Sequence, residues 1–275
     1  VVIVGAGRFG EVHLSKLLAR ADVRICAIVD PECERARRLA ARCPGAVVLG
    51  GVEDLSPAVG ADVALVATPI PALAPTAQAL LERGLHCLVE KPGADTARAA
   101  AWLTRTATLA GRRLAIGFVE RFNAGLADAP TGARTVVVRR VGPGRPGAGP
   151  LALDWGIHDL DLARHLLGPS LSIEEARTSS DVLRLRLRGE GGARASILCA
   201  RGRPRLWRRL WIDGFRVDLA APRARDALSD QWSAFLSGIR GGPVGPLASG
   251  TDAVAALTLV EALCGPDGPD TRAAG

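Results

Sequence analysis

The chain has 275 residues, 48% of them hydrophobic and 23% charged, with a net charge of +7. That length suits two domains of ordinary size. With no apolar run long enough to cross a bilayer and no charged, apolar leader, a cytoplasmic protein without a membrane partner is expected.

Val1-Val2-Ile3-Val4 is a short β-branched run, the pattern of a buried parallel strand. Gly5-Ala6-Gly7-Arg8-Phe9-Gly10 follows at once, and helical spacing then runs from Glu11 to Arg20. A strand before the glycines and a helix after them give this GxGxxG its dinucleotide-binding context. Gly5 permits the tight turn, Gly7 a close approach to pyrophosphate, and Gly10 close packing of helix on strand. The helix N-terminus then offers N–H groups and a positive dipole end to that anion, and Arg8 and Phe9 of the turn are expected to bind the cofactor with the glycines. A second apolar run, Val23–Val29, ends in Asp30. An acidic residue there accepts the ribose hydroxyls and repels a 2′-phosphate, so NAD is expected over NADP. The competing reading of Asp30 is a turn residue before Pro31. Arg35, Arg37 and Arg38 read as a solvated helix face, the alternative being that they hold a 2′-phosphate.

Strands and helices continue to alternate. Asp62–Ala67 is a strand ending in Thr68-Pro69, helical spacing runs from about Ala72 to Arg83, and Gly84 closes it. The strand His86–Val89 delivers Glu90-Lys91-Pro92; a helix over about Thr96–Ala110 and the run Leu114–Gly117 follow. This grammar implies a parallel sheet covered on both faces, with Thr68, Pro69, Glu90 and Lys91 at the same carboxyl edge as the glycine turn. Lys16 and Lys91 are the only lysines among 35 basic residues. Arginine would serve wherever a positive charge suffices, so a lysine at 91 points to a need for an amine whose pKa responds to burial.

Past residue 118 the pattern changes. The glycine- and proline-dense stretch Gly142–Pro150 reads as a loop. In the segment Asp154–Gly168, Asp154 and His158 are expected on one helix face, one turn apart, as a carboxylate–imidazole pair. A capping Asp beside a hydrogen-bonded His is the alternative. Asp161 and His165 repeat the spacing and read as a surface pair. Asp181–Arg188 alternates apolar and cationic residues, Gly189–Gly192 turns the chain into Ala193–Ala200, and Leu206–Ile212 is a third strand of an antiparallel meander. Helices over about Leu228–Gly238 and Thr251–Cys264 end the pattern.

Taken in order, Gly5–Gly10, Thr68-Pro69, Glu90-Lys91-Pro92, Gly117-Phe118-Val119-Glu120-Arg121-Phe122-Asn123 and Asp154-Trp155-Gly156-Ile157-His158-Asp159 form a set. It resembles the glucose–fructose oxidoreductase / inositol dehydrogenase / rhizopine-catabolism (Gfo/Idh/MocA) family of NAD(P)-dependent sugar oxidoreductases, from Val1 to about Leu263. The resemblance implies an α/β protein: a Rossmann doubly wound parallel sheet in residues 1–118, then an α+β domain in 119–275 on an open, mostly antiparallel sheet. That second domain would carry substrate and a homo-oligomer contact. The resemblance also implies that Lys91, Asp154 and His158 are catalytic, and that Arg121, Asn123 and Trp155 lie on the substrate side. His158 is then the general acid/base, Lys91 the donor to the same oxygen and Asp154 the orienting group, with the Lys91 and His158 roles exchangeable. The Val119–Asn123 version looks most like dehydrogenases of nucleotide-linked sugars.

Three departures accompany the resemblance: Leu73 replaces a common histidine, the stretch 124–153 is short, and the chain is below the family's usual length. They leave a catalytically impaired NAD-binding homologue, acting as a binding or regulatory protein, as the alternative. No tyrosine is present, which excludes a short-chain dehydrogenase relying on that residue. Six cysteines (Cys26, Cys33, Cys43, Cys87, Cys199, Cys264) without a Cys-x-x-Cys argue against a zinc site or a disulfide framework. Arg201, Arg203, Arg205, Arg208 and Arg209 surround Trp207, yet no nucleic-acid-binding signature accompanies them. A solvated sheet edge, or attraction of an anionic substrate, is expected instead.

Overall fold

The computed structural model describes residues 1–127, 129, 132–144, 149–219 and 226–264. Two units emerge, one of residues 1–119 with 226–254, the other of residues 120–225 and from 255 onward, so far as these are described.

The first unit opens with β1 (Val2–Val4) and α1 (Arg8–Leu18), then β2 (Ala27–Val29), α2 (Cys33–Ala40) and β3 (Val47–Leu49). Its second half has β4 (Val63–Val66), α3 (Ile70–Glu82), β5 (His86–Val89), α4 (Ala97–Leu109) and β6 (Leu114–Ile116). All six strands are parallel in the order β3-β2-β1-β4-β5-β6, that of a dinucleotide-binding Rossmann sheet. Apart from His86 at the start of β5, the strands are apolar because helices cover both faces; Ile3, Leu65 and Leu88 are wholly buried. Thr96 caps α4 by accepting the Ala99 N–H, and Gly84, at φ 84°, follows the end of α3. The expected strand Val23–Val29 is regular only over Ala27–Val29, and β3 is a strand that sequence patterning did not resolve.

In the second unit are β7 (Thr135–Val141), a π-helical turn at Ala152–Gly156, α5 (Ile157–Leu167), β8 (Leu171–Thr178), β9 (Val182–Gly189), β10 (Arg194–Ala200), β11 (Trp207–Ile212) and β12 (Phe215–Val217). The sheet order is β12-β11-β7-β10-β9-β8, antiparallel throughout except for parallel β7 and β10. Leu183, Leu185 and Leu187 are buried while Arg184, Arg186 and Arg188 are exposed, as the alternation predicts. The simple meander is corrected. β11 pairs with β7 instead of β10, because β7 inserts its own buried Val136 and Val138 between them. The stretch 124–153 therefore keeps a seven-residue central strand. Among the described residues it holds no α-helix; residues 145–148 of the glycine-rich loop lie outside that description.

The chain then supplies α6 (Ala227–Ile239) and α7 (Gly250–Cys264). The contiguous domain expected over 119–275 is interrupted here, since α6 belongs to the first unit. Trp232, Phe235 and Leu236 join the apolar cluster of Leu14, Leu17 and Ile3, and burial of these large side chains fixes the assignment. Cys26, Cys33, Cys43, Cys87 and Cys199 are free thiols.

Candidate active site

The first unit has a cleft of 680 Å³ at the carboxyl edge of its sheet, where β1 and β4 lie side by side and their connections diverge. Gly5, Gly7, Arg8, Phe9, Asp30, Thr68, Pro69, Glu90 and Lys91 all line it, so nine of the ten expected cofactor residues converge. Gly10 acts from behind. A Cβ on Gly10 would strike the Gly5 carbonyl oxygen, and one on Gly5, at φ 97°, would strike the Ala67 carbonyl. Around Gly7 nothing lies within 4 Å of an added Cβ, which leaves room for a ligand against the backbone. No side chain caps α1 at Gly7, so its leading N–H groups suit an anion.

Asp30, 7% exposed, accepts the Ala6 N–H at 2.7 Å through Oδ2 and the Glu32 N–H at 2.8 Å through Oδ1. It therefore holds the turn and also faces the cleft, combining both sequence readings. Each oxygen retains acceptor capacity for a ribose hydroxyl. Arg35 also lines the cleft, paired with Glu32 at 2.8 Å. Thr68 presents a buried Oγ1 without a hydrogen-bond partner among the described residues, a polar atom that a bound ligand can satisfy. Together, the bare backbone at Gly7, the Asp30 carboxylate and the orphan Thr68 hydroxyl fit a dinucleotide.

Glu90 closes the cleft through a chain that sequence reasoning missed. Its Oε1 lies 2.8 Å from His13 Nε2, while His13 Nδ1 accepts the Trp232 indole N–H at 2.9 Å. Glu90 Oε2 accepts the Lys91 backbone N–H at 3.2 Å, and the Lys91-Pro92 peptide is cis. The sequence signal was a histidine among the buried positions Gly10, His13, Leu14 and Leu17 of α1.

The second unit places Asp154, Trp155 and His158 around the start of α5. Asp154 lies in the π-helical turn and His158 in the first turn of the α-helix. The single α-helical face expected for the pair is thus replaced by a wider-wound turn followed by α-helix. Arg201 Nη2 sits 3.2 Å from Asp154 Oδ2, and its guanidinium lies 5.9 Å from the Trp155 ring centroid. Gly156 allows close packing, since a Cβ there would approach Leu183 Cδ2 at 2.6 Å.

One expectation requires correction. Asp161 is fully buried, not a surface residue, and it takes Arg121 Nε at 2.8 Å and Nη2 at 2.6 Å. Arg121, only 7% exposed, thus spends its Nε and Nη2 on a bidentate pair inside the domain. Asn123, also buried, accepts the Gly125 N–H through Oδ1 at 3.1 Å and caps a short 3-10 turn. A parallel buried pair joins Arg140 to Asp159 at 3.1 and 2.6 Å. Burial alone would lower the Arg140 pKa, but Asp159 and Glu120 outweigh it and raise it. Burial first, then Asp159, pushes the Cys199 thiol up. The arginines around Trp207 separate into distinct roles: Arg208 pairs with Glu120, Arg201 with Asp154, and Arg209 stacks over Trp207 at 5.1 Å.

Known proteins resemble the chain in sequence and in fold. The model of the "oxidoreductase family, NAD-binding Rossmann fold" (GFO_IDH_MocA) matches residues 1–118. Inositol 2-dehydrogenase of Streptomyces avermitilis is 32% identical over 187 residues, 62% of this chain; the alignment spans about half (54%) of that enzyme's length. The rhizopine catabolism protein MocA of Rhizobium meliloti is 29% identical over 298 residues, covering 94% of this chain and 92% of that protein. In three dimensions the chain shares the fold of UDP-N-acetylglucosamine 3-dehydrogenase GnnA from Acidithiobacillus ferrooxidans, with a TM-score of 0.81, 24% identity and coverage of 94% and 93% of the two chains. The glycine turn, the Rossmann strand order and these likenesses agree: residues 1–118 match the NAD-binding domain of the Gfo/Idh/MocA family of oxidoreductases, and the whole chain is similar to proteins of that family.

Proposed function

We propose that this protein is an NAD-dependent dehydrogenase or reductase acting on a hydroxyl-bearing carbon of a sugar or sugar nucleotide. One observation carries the reading: Glu90-Lys91 opens into the same cleft as the glycine turn and Asp30. Asp30 favours NAD over NADP, since a 2′-phosphate would meet its carboxylate. When bound, NAD supplies the hydride-accepting carbon of its nicotinamide ring. The chain's task is to hold the reacting carbon and manage the hydroxyl proton.

Lys91 is assigned as hydrogen-bond donor to the reacting oxygen, stabilising the charge that develops there. His158 is the general acid/base, taking the hydroxyl proton in oxidation and returning it in reduction, and the two roles are exchangeable. Asp154 orients substrate or His158, and Trp155 offers an apolar face to a sugar ring. Arg121 and Asn123, occupied within the domain, do not argue for a nucleotide-linked substrate. The class is therefore sugar or sugar nucleotide.

The test is a thermal-shift screen of inositols, free sugars and uridine- or thymidine-diphosphate sugars with NAD present, followed by turnover measured at 340 nm. The expected result is stabilisation by NAD and NADH formation with at least one polyol or sugar. Stabilisation by NAD without turnover of any of them, in either direction, would reject the enzymatic reading.

A further inference from the structure

Trp232, His13 and Glu90 form a buried chain within the first unit, ending at the backbone of Lys91. The indole N–H of Trp232 can only donate, so the Nδ1 of His13 that meets it at 2.9 Å must be an acceptor and carry no proton. The imidazole proton then resides on Nε2, 2.8 Å from Glu90 Oε1. His13 is 1% exposed, and the indole edge packs against it, ring centroids 5.8 Å apart. Neither ring has room to exchange partners with water.

Glu90 is held on its other side too. Its Oε2 accepts the Lys91 N–H at 3.2 Å. Gly117 leaves the space it occupies, since a Cβ there would lie 3.1 Å from Glu90 Cα and 3.2 Å from Oε1. A carboxylate gripped by a fixed imidazole and a close backbone defines where the chain leaves β5, and so where the Lys91 side chain begins. We infer that His13 is a positioning residue: Trp232 sets its tautomer, the tautomer fixes Glu90, and Glu90 fixes Lys91. This rests on the catalytic reading of Lys91 given above.

The test compares the protein with its His13→Leu, His13→Gln and Trp232→Phe variants. Long-range proton–nitrogen NMR correlations of the imidazoles should show His13 with its proton on Nε2 and none on Nδ1. Trp232→Phe should lose that single pattern. An Nδ1–H or doubly protonated His13 in the unmutated protein would overturn the inference.

With a substrate from the screen, His13→Leu should lower kcat by about tenfold or more while changing KM for NAD by about twofold or less. Gln can both donate to Glu90 and accept from Trp232, so His13→Gln should restore most of kcat. Equal loss in the Leu and Gln variants, or none in either, would refute the positioning role. If the unmutated protein turns over no sugar, the catalytic reading of Lys91 fails separately. The structural chain is then judged by exchange of the Lys91 amide, expected to be about tenfold faster in His13→Leu than in His13→Gln. Equal exchange in the two would end it.

Discussion

Arg121 and Asp161 meet through two parallel hydrogen bonds of 2.8 and 2.6 Å in the interior of the second unit. Forty residues apart in sequence, they tie a residue expected on the substrate side into the internal scaffold. Arg121 belongs to a segment that resembles one of the family's motifs, and here it also serves the fold.

Removing Asp161 should be severely destabilising. Asp161→Ala leaves the Arg121 guanidinium buried without its carboxylate, a loss of about 3–5 kcal/mol. Urea denaturation checks this; a shift below about 1 kcal/mol would show that Arg121 relaxes to solvent.

The two glycines should separate folding from binding. Gly10→Ala drives a Cβ into the Gly5 carbonyl and should cost about 1–3 kcal/mol. Gly7→Ala meets nothing within 4 Å, so it should melt normally yet bind NAD much more weakly. Calorimetry with and without NAD reads both. Normal NAD affinity in Gly7→Ala would remove the pyrophosphate from this turn.

Asp30 sets the cofactor preference. NADH should bind more tightly than NADPH, and Asp30→Ala should narrow the gap while weakening the Ala6 and Glu32 contacts of the turn. Fluorescence titration of the two reduced cofactors measures it. Tighter NADPH binding by the unmutated protein would defeat the assignment.

Lys91→Arg should keep NAD binding and lose about 10²–10⁴-fold in turnover, the usual worth of a proton-handling group. Guanidinium retains the charge but neither the compact geometry nor the tunable pKa of an amine. Near-native kcat in this variant would reduce Lys91 to a simple cation.

His86 should make stability depend on pH. Burial first, then Arg112 and Arg113, lowers its pKa below the ordinary value, and its Nδ1 accepts the Arg113 N–H at 2.8 Å. The unfolded chain therefore binds the proton more readily. The stabilisation is present above the unfolded pKa of about 6.5 and is lost as pH falls through the folded value. Melting temperatures across that range should fall less steeply in His86→Gln. Parallel curves would show that other groups carry the slope.

Elements built on near neighbours were legible in the chain itself. Gly5–Gly10 between an apolar run and a helix, the alternation of strands and helices to Ile116, and the leucine–arginine alternation of β9 depend on spacings of two to four residues. Local sterics and periodic burial write those patterns directly. Tertiary structure decided the rest, because the partners are distant in sequence. His13 is 77 residues from Glu90 and 219 from Trp232, so no window shows that a helical histidine sets the carboxylate beside Lys91. β7 was unread because its place between β10 and β11 depends on long-range pairing. Likewise α6 returns to the first unit because the tryptophan and phenylalanine it carries find their apolar partners there. A pattern of residues specifies which face of an element seeks burial; only the folded chain determines what that face meets.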